Sequence, residues 1–428
     1  MNPNITLLSL TLVSSSFLSA DVWPQFRGPD GAATAVEGAA IPTEWSAEKN
    51  LKWKTPLPGP GSSSPVLWGD KIFVTCYTGY GVKKEEPGEA NELGRELVCV
   101  DRVSGDILWS KEVGLKSKED DYRGYLMEHG YASATPVTDG KHVFVFLGKG
   151  GLHAFTLDGE KVWSKEVGTS SGDKRWGSAA SPVLHEDLLI VNAADEARAV
   201  IAFDKKSGEE RWRYESDKLE LAYNTPTIHR PEGGRTEIVV SAPEELFALD
   251  PANGKRLWFL ASAIPGNICP SVVSAGEVLF TTGGWPRKGS LAVKGGGAGD
   301  VTEQILWKSK TCSYVPTPVV YEGLLHWVSD EGKAIVMDLG SGEVLTNREV
   351  DGIPGRKQMS FYASAVRVGD KIFVVSRRDG TFVFEATKEM KQIAQNDLGD
   401  KTDFNATPAV AKGAIYLRSN AALYCVGE

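Results

Sequence analysis

The stretch Ala202-Phe203-Asp204-Lys205-Lys206-Ser207-Gly208-Glu209-Glu210-Arg211-Trp212 decides the fold. Its spacing is A-x-D-x-x-S-G-x-x-x-W, and each fixed position has a physical task. An apolar strand ends at Asp204, whose carboxylate can accept the amides of the turn that follows. Ser207-Gly208 supplies the positive φ that the reversal needs. Trp212 lies in the next strand, where a large flat ring can cover a joint between neighbouring units. The spacing recurs at Asp101, Gly105 and Trp109, and again at Asp250, Gly254 and Trp258. A shortened copy reads Leu157-Asp158-Gly159 with Trp163, and another keeps Asp338 and Gly342 but carries Thr346 in place of the tryptophan.

A second pattern interleaves with the first: a small or polar residue, proline, a β-branched residue, a turn and an apolar run. It begins at Ser64-Pro65-Val66, Thr135-Pro136-Val137, Ser181-Pro182-Val183, Thr225-Pro226-Thr227, Thr317-Pro318-Val319 and Thr407-Pro408-Ala409. Two copies lack that proline, Pro270-Ser271-Val272 and Ala363-Ser364-Ala365. Markers at 65, 136, 182, 226, 271, 318, 364 and 408 give spacings of 71, 46, 44, 45, 47, 46 and 44. Repeats of about 40–50 residues made of short strands are the mark of propeller blades. The expected fold is all-β, an eight-bladed β-propeller with four-stranded blades. The last unit lacks its tryptophan strand, whereas Asn50-Leu51-Lys52-Trp53-Lys54 is such a strand without a unit. This N-terminal strand is expected to complete the last blade and remove the open edges of the ring. The expected layout is a signal peptide over 1–20, an N-terminal arm over 21–49 and the propeller over 50–428. Stretches 77–95 and 114–130 enlarge the first blade, and 294–303 reads as a lengthened hairpin in the fifth.

The 428 residues carry a net charge of −9. That field repels phosphate backbones, so nucleic acid is not an expected partner. Residues 1–20 are uncharged, with an apolar run from Ile5 to Leu12 and Ala20 ahead of Asp21. This reads as a secretory signal peptide cleaved after Ala20, which predicts a periplasmic or secreted protein with no transmembrane segment beyond it. Asp21 stands where a lipid-anchored protein would carry cysteine, so no anchor is expected. Cys76, Cys99, Cys269, Cys312 and Cys425 form no CxxC pair and read as small apolar side chains. Only Cys269 and Cys312, each ahead of the first strand of consecutive repeats, are placed for a possible bridge.

The A-x-D-x-x-[ST]-G-x-x-x-W unit resembles the PQQ-repeat, or tryptophan-docking, propellers over about residues 50–428. The leader Trp23-Pro24-Gln25-Phe26-Arg27-Gly28-Pro29 is similar to the start of many exported bacterial proteins with this repeat. The family holds quinoprotein alcohol and glucose dehydrogenases and BamB-type outer-membrane assembly factors. On the second likeness the chain would be a monomeric protein- or ligand-binding scaffold of the cell envelope, without catalysis. On the first it would be a periplasmic oxidoreductase holding PQQ, with vicinal cysteines against the cofactor and calcium or a lanthanide bound through Glu, Asn and Asp. The sequence has neither adjacent cysteines nor a CxxCH haem motif. The scaffold is therefore the preferred expectation, with neither PQQ nor metal as an expected constituent.

In a propeller, the segments joining one blade's outer strand to the next blade's inner strand cross one face near the axis. Here they carry His129, Tyr131, Arg175, Trp176, Tyr223, Asn224, Asn267, Tyr314, Tyr362 and Asn405. Aromatic and amide groups converging there would make a ligand pocket with stacking surfaces and hydrogen-bond donors. Arg175 beside Trp176 is the best anion-plus-stacking pair, and His129 the best general base by residue type. No nucleophile elbow, HExxH or phosphate loop occurs, so no catalytic residue is assigned. A carbohydrate-cleaving propeller would need a carboxylate pair at the axis, and none stands out.

Overall fold

The computed structural model describes residues 22–35, 41–353 and 359–428. The expected signal peptide lies outside the described residues. Eight sheets follow one another around a ring, each built on four antiparallel strands, consecutive in the chain except in the fifth and the last. Blade three shows the pattern: Val183–His185, Leu188–Ala193, Ala199–Asp204 and Glu210–Glu215, from the axis outward. Its two middle strands are buried along almost their whole length, while the outer strand alternates. Neighbouring blades cover both faces of the middle strands, so these read as continuous apolar runs.

The last blade is shared by the two ends of the chain. Leu51–Pro56 pairs antiparallel with Ala422–Gly427, with Trp53 opposite Cys425. The hairpin chemistry is as expected. Asp101 Oδ1 accepts the amides of Val103 and Ser104, both at 2.8 Å. Asp204 Oδ1 accepts those of Lys206 at 2.9 Å and Ser207 at 3.0 Å. These main-chain donors hold both carboxyls below the usual range.

Each tryptophan reaches across a joint. The indole N–H of Trp53 donates to the Arg102 carbonyl at 3.1 Å, Trp109 to Leu157 at 3.3 Å, and Trp163 to Lys205 at 3.1 Å. Trp212 donates to Pro251 at 2.7 Å and Trp307 to Leu339 at 2.9 Å. Every acceptor sits in the Asp–Gly turn of the next blade. The turn glycine therefore has two reasons to be glycine. Gly208 has φ +71°, and a Cβ there would stand 2.8 Å from the Trp163 ring. Thr346 replaces the indole with a hydroxyl, which donates to the Lys388 carbonyl at 2.7 Å. Trp258 faces the lengthened hairpin of blade five and donates instead to Glu237 Oε2 at 2.8 Å. Within that hairpin, Gly299–Asp300 runs parallel beside the outer strand of blade four. Blade seven has Ala394 at the tryptophan position. Trp45 of the arm stacks on Phe373 of that blade at 6.2 Å and replaces the missing ring, though its indole N–H makes no hydrogen bond among the described residues.

The joints near the axis are sewn by hydroxyls. The Ser64 amide donates to Thr135 Oγ1 at 2.9 Å, Thr135 to Ser181 Oγ at 2.9 Å, and Ser181 to Thr225 Oγ1 at 3.0 Å. Ser271 donates to Thr317 Oγ1 at 3.1 Å, Thr317 to Ser364 Oγ at 3.1 Å, and Ser364 to Thr407 Oγ1 at 2.9 Å. This corrects the register of the two copies without the marker proline. Ser271 and Ser364 occupy the hydroxyl position, so Val272 and Ala365 stand where the other blades have proline. Counted on hydroxyls from 64 to 407, the spacings are 71, 46, 44, 46, 46, 47 and 43.

Residues 22–35 cross the channel on the side of the Asp–Gly turns. Val22–Trp23 extends the sheet of blade one, and the Thr138 amide of blade two donates to the Pro24 carbonyl at 2.9 Å. Arg27 is buried, with its guanidinium donating to the Thr317 and Pro318 carbonyls of blade six at 2.9 and 2.6 Å. Ala33 and Ala35 bond the main chain of Arg367 in blade seven. The segment is a plug tied to opposite sides of the ring.

Candidate functional site

Above the plug, on the face of the crossing segments, lies an axial cavity with about 170 Å³ of water-accessible space. Phe26 of the plug closes its floor, and the eight inner-joint Ser and Thr residues border it, six of them accepting an amide across a joint. Tyr125, Trp176, Tyr223, Tyr314 and Tyr362 form the walls. Tyr125 meets Trp176 edge-on with ring centres 4.5 Å apart, and Trp176 stacks on Tyr223 at 6.0 Å. Of the ten expected residues, His129, Trp176, Tyr223, Tyr314, Tyr362 and Asn405 border this cavity.

The other four are placed elsewhere. Tyr131 belongs to an aromatic cluster with Tyr77, Tyr80 and Tyr122, and its hydroxyl donates to the Asp120 carbonyl at 2.8 Å. The two enlargements of blade one fold onto each other through this cluster and draw Tyr131 from the axis. Arg175 points away from Trp176 toward Asp120, 3.5 Å off, and its side chain is 56% exposed. The expected anion-plus-stacking pair is thereby split. Asn224 is buried, donating to the Ser241 carbonyl at 2.5 Å and accepting its amide at 3.3 Å, which pins blade four. Asn267 stands behind the wall and donates to the Tyr314 hydroxyl at 3.3 Å.

His129 is not arranged as a base. Its Nδ1 lies 2.5 Å from Ser133 Oγ, and its Nε2 lies 2.9 Å from the Trp176 carbonyl, a contact that needs a proton on Nε2. Burial lowers its pKa to about 4, so the ring is neutral at pH 7 with both nitrogens engaged. Its role is to hold the main chain of Trp176.

Several groups at the site escaped the sequence reading. Glu128, at the cavity rim, is held by Arg377 at 2.7 Å and Lys84 at 3.2 Å. Burial would raise its carboxyl, but the two cations outweigh this and keep it below the usual range. Arg377 also bonds Asp403 at 2.6 Å and Asn405 Oδ1 at 2.9 Å, and lies 4.4 Å from the Tyr362 ring centre. Tyr125 and Glu128 arrive on the 114–130 insertion, which has no counterpart in other blades to flag it. Cys269 borders the cavity as a free thiol whose pKa burial pushes up to about 12, and Cys312 is also free.

A second, small cavity lies between blades two and three, bordered by Asp195 and Glu196. Both Asp195 oxygens and Glu196 Oε2 are buried without hydrogen-bond partners. Burial raises Asp195 to about 7 and Glu196 to about 8, and the neighbouring Asp195 adds to the latter. This is the carboxylate pair that sequence reading passed over, and it lies off the axis. Among the described residues, no group of three or more His, Cys, Asp or Glu side chains is placed to hold a metal ion, and no helix is long and apolar enough to cross a membrane.

A sequence profile described as outer membrane protein assembly factor BamB matches residues 94–348. The outer membrane protein assembly factor BamB of Moranella endobia (strain PCIT) is 22% identical over 275 residues, 52% of this chain and 70% of that protein. The crystal structure of BamB from Moraxella catarrhalis superposes with a TM-score of 0.60 at 13% identity, covering 88% of this chain and 97% of that one. Quinohemoprotein alcohol dehydrogenase from Comamonas testosteroni gives 0.62 at 11% identity, covering 96% and 81%. At these identities the structural likenesses concern the fold.

Proposed function

The chain belongs to the family described as outer membrane protein assembly factor BamB, and on that premise we propose that it is an exported scaffold of the cell envelope that receives a protein partner on the face of its crossing segments. The supporting observation is the raised platform on blade one. Insertions around residues 79–93 and 114–130 are locked together by Tyr77, Tyr80, Tyr122 and Tyr131 beside the cavity mouth. Ordered loops on a rigid frame are the usual carriers of recognition. The platform presents exposed charges at Lys83, Lys84, Glu85 and Glu86. A photo-crosslinker at Lys83 in living cells tests the reading. The expected result is a discrete protein adduct in the envelope fraction. Retention of the intact chain in the cytoplasm, or no adduct, overturns it.

The dehydrogenase likeness raises the question of PQQ, an ortho-quinone bearing three carboxylates. Among the described residues no Lys or Arg borders the axial cavity, and Cys269 is the one cysteine there. The residues present do not fit the cofactor, and no redox step is derived through it. Purified protein incubated with PQQ and calcium checks this directly. A quinone absorbance that co-elutes, with dye reduction by alcohols or sugars, would replace the scaffold reading.

A further inference from the structure

We propose that the axial cavity binds one neutral sugar ring, stacked at the mouth on Trp176 and hydrogen-bonded from below by the ring of sewing hydroxyls. Tyr125 and Glu128 reach this cavity from the 114–130 segment of the platform, but the sugar site needs no protein partner on that platform.

The hydroxyls carry the inference. Those of Thr135, Ser181, Thr225, Thr317, Ser364 and Thr407 each already accept an amide from the neighbouring blade. Each keeps its O–H proton and a second lone pair, and among the described residues none of the six donates that proton to a protein atom. Two further hydroxyls at the cavity, Tyr223 OH and Ser271 Oγ, are more than nine-tenths buried and have no partner at all. Buried polar atoms in native proteins are normally satisfied, so these point to a molecule that belongs there.

The charge state selects among ligands. The Glu128 carboxylate is consumed by Arg377 and Lys84, and His129 is neutral with both nitrogens engaged. What faces the space is a set of uncharged hydroxyls, each able to donate or accept. Sugar hydroxyls have the same two-way capacity. A polycarboxylate would find no fixed cation among the described residues, and an ammonium no free carboxylate. The half-buried rings of Tyr125, Trp176 and Tyr362 offer the flat apolar surface on which the C–H face of a pyranose rests. One carboxylate borders the space, whereas glycoside cleavage uses two, so the sugar is bound and not cut.

Calorimetric titration of the full protein tests this, with D-glucose, D-galactose, N-acetyl-D-glucosamine, choline and PQQ as probes. The expected result is one-site binding of at least one sugar, with Kd on the order of 0.1–10 mM. Trp176→Ala should weaken it about tenfold or more, Trp176→Phe should restore part, and Tyr223→Phe should weaken it about tenfold. Circular dichroism checks folding, and if Trp176→Ala is unfolded, Tyr223→Phe decides. No saturable heat from any sugar up to about 50 mM overturns the proposal. So does tighter binding of choline or PQQ than of every sugar, or sugar binding unchanged in Tyr223→Phe. Loss of the crosslinked protein partner would leave all these outcomes unaffected.

Discussion

Glu196→Gln should stabilise the protein at high pH and leave it nearly unchanged at low pH. Glu196 and Asp195 lie in a one-turn helix between blades two and three, buried and short of donors. Burial raises Glu196 from 4.5 to about 8 and Asp195 from 3.8 to about 7. The folded state therefore keeps these protons to higher pH than the unfolded chain does. Their contribution is complete below about pH 4, falls as the unfolded carboxyls ionise, and is lost once pH passes through about 7 and 8. At 1.36 kcal/mol per pH unit, the Glu196 displacement corresponds to roughly 4–5 kcal/mol of lost stability at pH 9. That displacement is what remains after Lys149 and Arg198 have drawn the carboxyls back, and the buried amide of the glutamine, itself short of partners, forfeits part of the gain. A gain of about 2–4 kcal/mol for the glutamine variant at pH 9 is expected, shrinking to within about 1 kcal/mol at pH 5. Urea unfolding midpoints of both proteins at pH 5, 7 and 9 measure it. Parallel pH profiles would refute the reasoning, because they would mean that Glu196 is ionised and compensated in the folded state.

Removing residues 21–55 should lower the melting temperature sharply, since it strips the outer strand from the last blade as well as the plug; an unchanged melting curve would contradict the ring closure. Gly208→Ala should cost about 2–4 kcal/mol, because it forces a side chain into positive φ and against the Trp163 ring, and thermal unfolding reads this out. Arg27→Ala leaves the Thr317 and Pro318 carbonyls unpaired and frees the plug. Faster amide exchange over residues 22–35, with the blades keeping their protection, is the expected result.

What could be read from the sequence was whatever the backbone demands at each repeat. An Asp to gather turn amides, a Gly at positive φ and a Trp to bridge the joint recur because each blade needs them, and Trp53 could be assigned to its blade by the same rule. The reading slipped where proline stood as the marker. The physical requirement at the inner joint is a hydroxyl, and Ser271 and Ser364 meet it without a proline following. It also could not see Trp45, which repairs blade seven from a distant stretch of chain. At the axis the limit was alternation. Tyr223 borders the cavity while Asn224 does not, because neighbours on an extended segment face opposite ways, and Trp176 does while Arg175 does not, because Arg175 closes a turn at φ +52°. Choosing between them requires the twist of each crossing segment, which its composition does not encode.

The shared eighth blade also imposes an order on assembly. Leu51–Pro56 leaves the ribosome before any complete blade, yet its partner Ala422–Gly427 emerges only after all the blades between. Through the synthesis of everything between, that strand has no native neighbour on its pairing edge. Nascent chains must keep it from foreign strands until the circle shuts, and at that seam two newly made copies can exchange ends.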